Sequence, residues 1–235
     1  MNARIKDTLK SIIPGHVRSM LRRIQFLIFS LIKRAYSRIF LGLKKGDLEG
    51  THLLLHIGCG TLVKAGWINV DLDPGRGAFF LDATKGLPFG SGAVKHIHCE
   101  HFLEHLEYPA AKKFLQESYR VLERTGSIRI IVPDAEKYFK AYYEKDTSFF
   151  DKLKYLGGTA QPLRTNIEIV NQMFMMGGAH RFAWDFETLA LMLHESGFSE
   201  VRKSAFGDIS PELDIDGSDE WRLLESLYVT AFKRA

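Results

Sequence analysis

The sequence predicts an α/β fold: a mostly parallel sheet with an antiparallel last strand, preceded by a basic helical arm. Three observations predict it. Short apolar runs alternate with helical stretches and Gly- or Pro-containing turns along residues 51–235. The run Leu53-Leu54-Leu55-His56-Ile57 opens into Gly58-Cys59-Gly60, and the next run ends on Asp71. That order of strand, glycine turn, strand and acid is the plan of nucleotide-type sites in open sheets. The third is charge. Residues 1–46 hold eleven lysines and arginines and one acid, leaving 21 of the 32 basic and 27 of the 28 acidic residues to the remainder.

The net charge of +4 therefore joins a strongly basic arm to a mildly acidic body. It does not mark the body as a nucleic-acid binder, and no nucleic-acid partner is expected. A chain of 235 residues, 46% hydrophobic, suits one globular domain with an extension. Cys59 and Cys99 are too few for a disulfide framework or a thiolate zinc site. They read as small buried residues at strand ends, and the reducing cytoplasm is the default location.

The arm, taken as residues 1–48, reads as helical with a break at Pro14-Gly15. From Val17 to Leu43 apolar and basic residues interleave. Its longest apolar run, Phe26–Phe29, is far short of the roughly 20 residues a span needs, and it lacks a cleavage site for a secretory signal. A basic amphipathic helix of this kind lies on an anionic membrane surface, or packs on the domain or a partner. The first reading would make the protein peripheral at the inner face of the membrane. Gly46–Gly50 reads as a linker to a domain over 49–235.

Within the domain the expected strands are Leu53–Ile57, Trp67–Leu72, Phe79–Leu81, His96–Cys99, Ser127–Val132, Phe198–Lys203 and Leu227–Lys233. A helix is expected to begin near Phe102. Another spans Ala110–Glu123, where Ala111, Phe114, Leu115, Ser118, Val121 and Leu122 recur at helical spacing. A third, Phe186–Glu195, has Asp185 as N-cap and Gly197 as its stop. Only six residues lie between Gly60 and Trp67, so no full helix fits the first crossover. A dinucleotide fingerprint would need that helix and a third glycine, which disfavours NAD.

Leu55–Gly60, then Asp71, Asp82-Ala83 with Leu87-Pro88-Phe89, Phe102–Leu106, and Arg120-Val121-Leu122 with Gly126 together resemble class I S-adenosylmethionine-dependent methyltransferases. His180-Arg181-Phe182 with Asp185, followed by Glu195-Ser196-Gly197-Phe198, is similar to the small branch found with surface-polysaccharide assembly enzymes. The resemblance implies a Rossmann-like sheet, S-adenosyl-L-methionine as cofactor, and O-methylation of a saccharide or other glycan-type acceptor. By that resemblance the cofactor site would comprise His56, Gly58, Cys59, Gly60, Asp71, Leu72, Asp82, Ala83 and Glu100. The two glycines would let the cofactor approach the backbone. Asp71 would accept the ribose hydroxyls, and Asp82-Ala83 would meet adenine. His56 stands where the family usually has an acid. Asp73 reads as a cap for the Pro74 turn.

Methyl transfer expels a neutral thioether, so orientation of the acceptor carries most of the catalysis and a base assists a hydroxyl acceptor. His101 and His180 are the candidate catalytic residues, with Asp134 an outsider, and Asn171, Arg181 and the aromatics of 138–155 are candidates for the acceptor site. His101-x-x-Glu104-His105 also fits the inverted zinc-protease pattern, with two histidines on one helix face. A zinc hydrolase through His101, Glu104 and His105 would still need a third ligand and a substrate-binding cleft; it is kept as the lesser alternative, no metal is expected, and His105 reads as a packed helix residue. The other reading from a different class is a methyltransferase-like binding module without turnover, favoured by the missing crossover helix and by His56.

Overall fold

The computed structural model describes residues 17, 42–154 and 163–234. Nearly all of the basic arm, and Tyr155, lie outside the described residues. Among the described residues no helix is long and apolar enough to cross a membrane. The chain meets the domain before the expected boundary. Gly42 bridges Phe80, Leu43 and Leu48 pack on the core, and a one-turn helix α1 (Lys45–Leu48) stands where a linker was expected.

The strands are β1 (Leu53–Ile57), β2 (Ile68–Asp71), β3 (Phe79–Phe80), β4 (Val94–Glu100), β5 (Leu122–Pro133), β6 (Glu200–Ser204) and β7 (Ser226–Phe232). They form one sheet in the order β3-β2-β1-β4-β5-β7-β6. Only β7 runs against the rest, inserted antiparallel between β5 and β6. This is the Rossmann-like methyltransferase sheet that the resemblance implies.

Helix α2 (Tyr108–Val121) forms the β4–β5 crossover. Pro109 sits in its first turn, where the missing N–H costs nothing. Its apolar stripe and that of α6 (Phe186–Glu195) cover one face of the sheet, where Leu55, Ile57, Ile97, Cys99, Ile128, Ile130 and Val229 form the main core. Asp185 caps α6 through the Thr188 N–H, as expected. Helix α2 ends two residues early because Leu122 turns extended and pairs with Val94. The register then resumes at His96↔Ser127, so residues 123–126 loop out.

The opposite face is polar. Asn69, His56, His98, Arg129 and Thr230 stand in register across β2, β1, β4, β5 and β7. No helix lies between β1 and β2 or between β2 and β3, as the short spacing demands. Asn69 fixes the first connection instead, accepting from the Lys64 N–H and donating to the Lys64 and Trp67 carbonyls.

Residues 134–154 and 163–180 add a smaller layer: α3 (Ala135–Glu144), α4 (Thr147–Leu153) and α5 (Asn166–Met175). Tyr138, Phe149, Phe150 and Met173 form its own core, with Trp221 and Leu224 of α7 (Glu220–Glu225) against it. The aromatics Tyr138, Phe149 and Phe150 are thus packing residues, whereas Phe139, Tyr142 and Tyr143 are exposed.

Candidate active site

The C-terminal ends of β1 and β2 open on a cavity of about 510 Å³. Its walls include Ile57, Gly58, Asp71, Leu72, Asp82, Ala83, Thr84, His101, Phe102 and His105. The glycine turn is built by strand geometry. The Gly58 and Cys59 N–H groups both donate to the Val70 carbonyl, at 2.9 and 3.2 Å. Gly58 and Gly60 take left-handed φ angles of 70° and 52°. Asp71 then closes the turn, accepting from the Gly60 N–H at 2.9 Å and the Asp73 N–H at 2.7 Å. Its carboxylate remains part of the cavity wall, with lone pairs beyond those two bonds. Asp82 caps a single 3₁₀ turn by accepting from the Thr84 N–H and hydroxyl, at 3.2 and 2.6 Å. Burial alone would raise its pKa, but the bonds from Thr84 and the neighbouring Lys85 outweigh it and hold the carboxyl below its ordinary range.

Four expected cofactor residues do not line this cavity. His56 points to the polar face because side chains alternate along a strand. Its Nδ1 lies 3.2 Å from Asn69 Oδ1, and its ring meets His98 edge-on. Burial, then His98, lowers its pKa to about 4. Glu100 faces the same way and is held by Arg222 Nη1 at 2.6 Å and the Gly217 N–H at 3.0 Å. Burial opposes its ionisation, but the nearby His98 ring, 3.7 Å away, and the Arg222 guanidinium lower the pKa to about 2. Cys59 is buried, its thiol raised to about 12 by burial and by Asp71. Gly60 spends its N–H on Asp71 instead of facing the cavity.

A second, mostly apolar cavity of about 280 Å³ lies under the small layer. Tyr138, Leu153, Ile169, Met173, Met176, His180, Trp221 and Glu225 line it. Tyr138 donates a short hydrogen bond to Glu225, whose pKa is raised by burial. Two ring pairs join the cavities. His101 of the first stacks at a tilt on Trp221 of the second, 4.9 Å between centroids, and His105 meets His180 at the same distance.

His101 sits just beyond β4 at φ 48°, a left-handed angle a non-glycine residue holds only when its surroundings fix it. Its N–H donates to Ile131 O. Nδ1 lies 3.1 Å from Glu104 Oε1, and Nε2 3.3 Å from Ser226 Oγ. Burial works against the imidazolium, but the Glu104 bond and charge outweigh it and raise the pKa. Such a carboxylate–imidazole pair orients Nε2 as a proton acceptor. Glu104 could have been suspected from its spacing after His101, whereas Ser226 is 125 residues away and gave no signal. The histidine–glutamate pattern does not lie on an α-helix. Leu103–His105 is one 3₁₀ turn, so His101 and His105 do not share a helix face.

His180 is the second expected catalytic histidine. Its Nδ1 lies 2.5 Å from Met173 O, and burial lowers its pKa. Asp134 caps α3 through the Glu136 N–H and lines neither cavity. Asn171 and Arg181 are exposed, and Arg181 faces Glu107 at 3.8 Å.

Residues 55–130 match the family model for a methyltransferase domain. No curated protein matches the chain. Among solved structures, a SAM-dependent methyltransferase of Thermotoga maritima is 19% identical at TM-score 0.45, covering 93% of this chain and 96% of its own. One of Archaeoglobus fulgidus is 17% identical at TM-score 0.46, covering 86% and 93%. Phosphoethanolamine N-methyltransferase 2 of Haemonchus contortus, in complex with S-adenosyl-L-methionine, is 13% identical at TM-score 0.46, covering 86% and 52%.

The cofactor that a methyltransferase domain implies is S-adenosyl-L-methionine. The residues present fit it. The volume is within the range of cofactor pockets. Asp71 presents a carboxylate suited to a vicinal diol, and Asp82 a second acceptor beside the apolar walls of Leu72, Ala83 and Phe102. With His56 and Glu100 turned away, Asp71 and Asp82 are the carboxylates that line the cavity.

Proposed function

We propose that this protein is an S-adenosylmethionine-dependent O-methyltransferase acting on a hydroxyl of a saccharide-type acceptor. One observation carries the reading: His101 lines the cofactor cavity, is oriented by Glu104, and its ring packs at a tilt against Trp221 of the second cavity. Gly58, Asp71, Leu72, Asp82 and Ala83 hold the cofactor. When bound, the cofactor would supply an electrophilic methyl group on a sulfonium whose leaving group is a neutral thioether. The chain's own task is then to orient an acceptor oxygen and take its proton. His101 Nε2 takes it once the acceptor hydroxyl replaces Ser226 as its partner. Glu104 fixes the tautomer by accepting from Nδ1–H. Trp221 offers an aromatic face to the sugar, and Leu153, Ile169 and Met173 suit an attached apolar group.

The basic arm supports a location for that acceptor. Eleven basic residues against one acid over 1–46 favour an anionic membrane surface, where a lipid-linked saccharide would lie. Co-sedimentation with anionic vesicles tests this: the full chain pellets and a chain lacking residues 1–46 does not. Equal pelleting removes the membrane role.

The reaction is tested by incubating the full chain and His101→Ala with methyl-labelled cofactor and glycan extracts. Label enters the glycan fraction with the wild type and not with the variant. Cofactor binding without label in any fraction would instead favour the binding-module reading.

A further inference from the structure

We propose that Glu104, His105 and His180 form a binding site for a divalent transition-metal ion of the zinc class, set between the two cavities. Each residue can offer one ligand atom such that all three atoms lie within 4.8 Å of one another. Two nitrogens and one carboxylate oxygen form a donor set that zinc-class ions favour, and three protein ligands leave a coordination position open.

The histidines are prepared for this role. His105 Nδ1 lies 3.1 Å from Ala179 O, and His180 Nδ1 2.5 Å from Met173 O. A carbonyl only accepts, so each Nδ1 carries the hydrogen and each Nε2 keeps its lone pair. A hydrogen bond to backbone at the second nitrogen is the usual outer support of a metal-bound histidine. Glu104 adds an independent sign. It is 1% exposed, yet its Oε2 is buried with no hydrogen-bond partner among the described residues. A buried carboxylate oxygen left bare is costly, and a cation removes the cost. Glu104 Oε1 is meanwhile held by His101, so one carboxylate serves both groups.

The two loops that carry the ligands are tied together. The Arg181 and Phe182 N–H groups donate to the Glu104 carbonyl, at 2.7 and 3.3 Å. The ligands therefore come from segments about 75 residues apart that are fixed before any ion arrives, as a preorganised site requires. His105 lines the cofactor cavity and His180 the second one. An ion here would meet an acceptor oxygen passing between them. That role rests on the methyltransferase reading; the binding itself does not.

The test uses the untagged full chain, stripped by chelator, dialysed and titrated with Co²⁺ and then with Zn²⁺, without cofactor. Visible Co²⁺ bands saturate at about one ion per chain and are displaced by Zn²⁺. His105→Ala and His180→Ala each weaken binding roughly 100-fold, whereas His52→Ala, at an exposed position elsewhere, leaves it unchanged. Should either alanine variant fail to fold, Glu104→Gln removes the carboxylate charge at nearly the same size and weakens binding similarly. Absence of saturable bands, or equal affinity in the ligand variants, overturns the site. Metal binding without cofactor binding would sink the methyltransferase reading and leave this one standing.

Discussion

A Cβ atom built on Gly58 would stand 2.9 Å from Cδ2 of Phe102. The glycine is there for the protein's own packing, since the Phe102 ring is wedged between this turn and Phe114, 5.1 Å away. Gly60 differs: its φ is also left-handed, but an added Cβ meets nothing within 4 Å. Gly60→Ala should cost about 1 kcal/mol of stability, the price of a left-handed alanine. Gly58→Ala adds a clash and should cost about 3 kcal/mol or more. Urea denaturation of both variants checks the order, and equal losses would mean that Phe102 can step aside.

His101→Ala should lower turnover roughly 100-fold or more, the size expected for a lost general base. Glu104→Gln should do less, because its amide oxygen can still accept from Nδ1–H. Steady-state kinetics with a responsive acceptor separates the outcomes. A change in acceptor KM alone would assign His101 to binding.

The polar face should make the fold acid-sensitive in a defined window. Burial, then His98, lowers the His56 pKa to about 4, and burial with His98 and Arg129 lowers that of His96 to about 3. Below the unfolded value near ~6.5, the unfolded chain takes up protons that the folded chain refuses. Their contribution is thus complete above that value and is lost as pH falls through 6 and 5. For His56 alone the loss by pH 5 is roughly 2 kcal/mol. Glu100, with a pKa near 2, is lost only below the ordinary carboxyl range and so falls outside this window. His56→Gln should flatten the dependence of urea midpoint on pH between 7 and 5. An unchanged slope would mean the His56 ring is protonated in the folded state.

Arg129 is fully buried and donates to both oxygens of Asp216, to Thr230 Oγ1 and to Ala205 O. Asp216→Ala leaves that guanidinium without its counter-charge and should cost roughly 3–5 kcal/mol. The double variant Arg129→Met, Asp216→Leu should recover much of the loss. Calorimetric melting of the three chains decides it, and a small loss in the single variant would show that water reaches Arg129.

These residues also show what the sequence could reveal. Helix α6 and its Asp185 cap were legible because the cap, the apolar stripe and the Gly197 stop all lie within one local segment. The helix-free step from Gly60 to β2 was legible from chain length alone. For His56 and Glu100, strand alternation assigns a face, but a strand buried on both sides does not say which face meets the cavity at its end. The end of α2 was misplaced because the pairing of Leu122 with Val94 overrides its helical spacing. The partnership of His105 with His180 joins distant segments, so it emerged only from the fold.

The cofactor site proposed at the ends of β1 and β2 depends most on the Asp71 carboxylate. Isothermal titration of S-adenosyl-L-methionine into the full chain, Asp71→Ala and His56→Ala tests it most directly. Binding to the wild type should saturate at about one cofactor per chain and be weakened roughly tenfold or more by Asp71→Ala. His56→Ala, away from the cavity, should weaken it less. No binding at millimolar cofactor would mean that the cavity is no cofactor site, and a larger loss from His56→Ala than from Asp71→Ala would place the cofactor on the other face of the sheet.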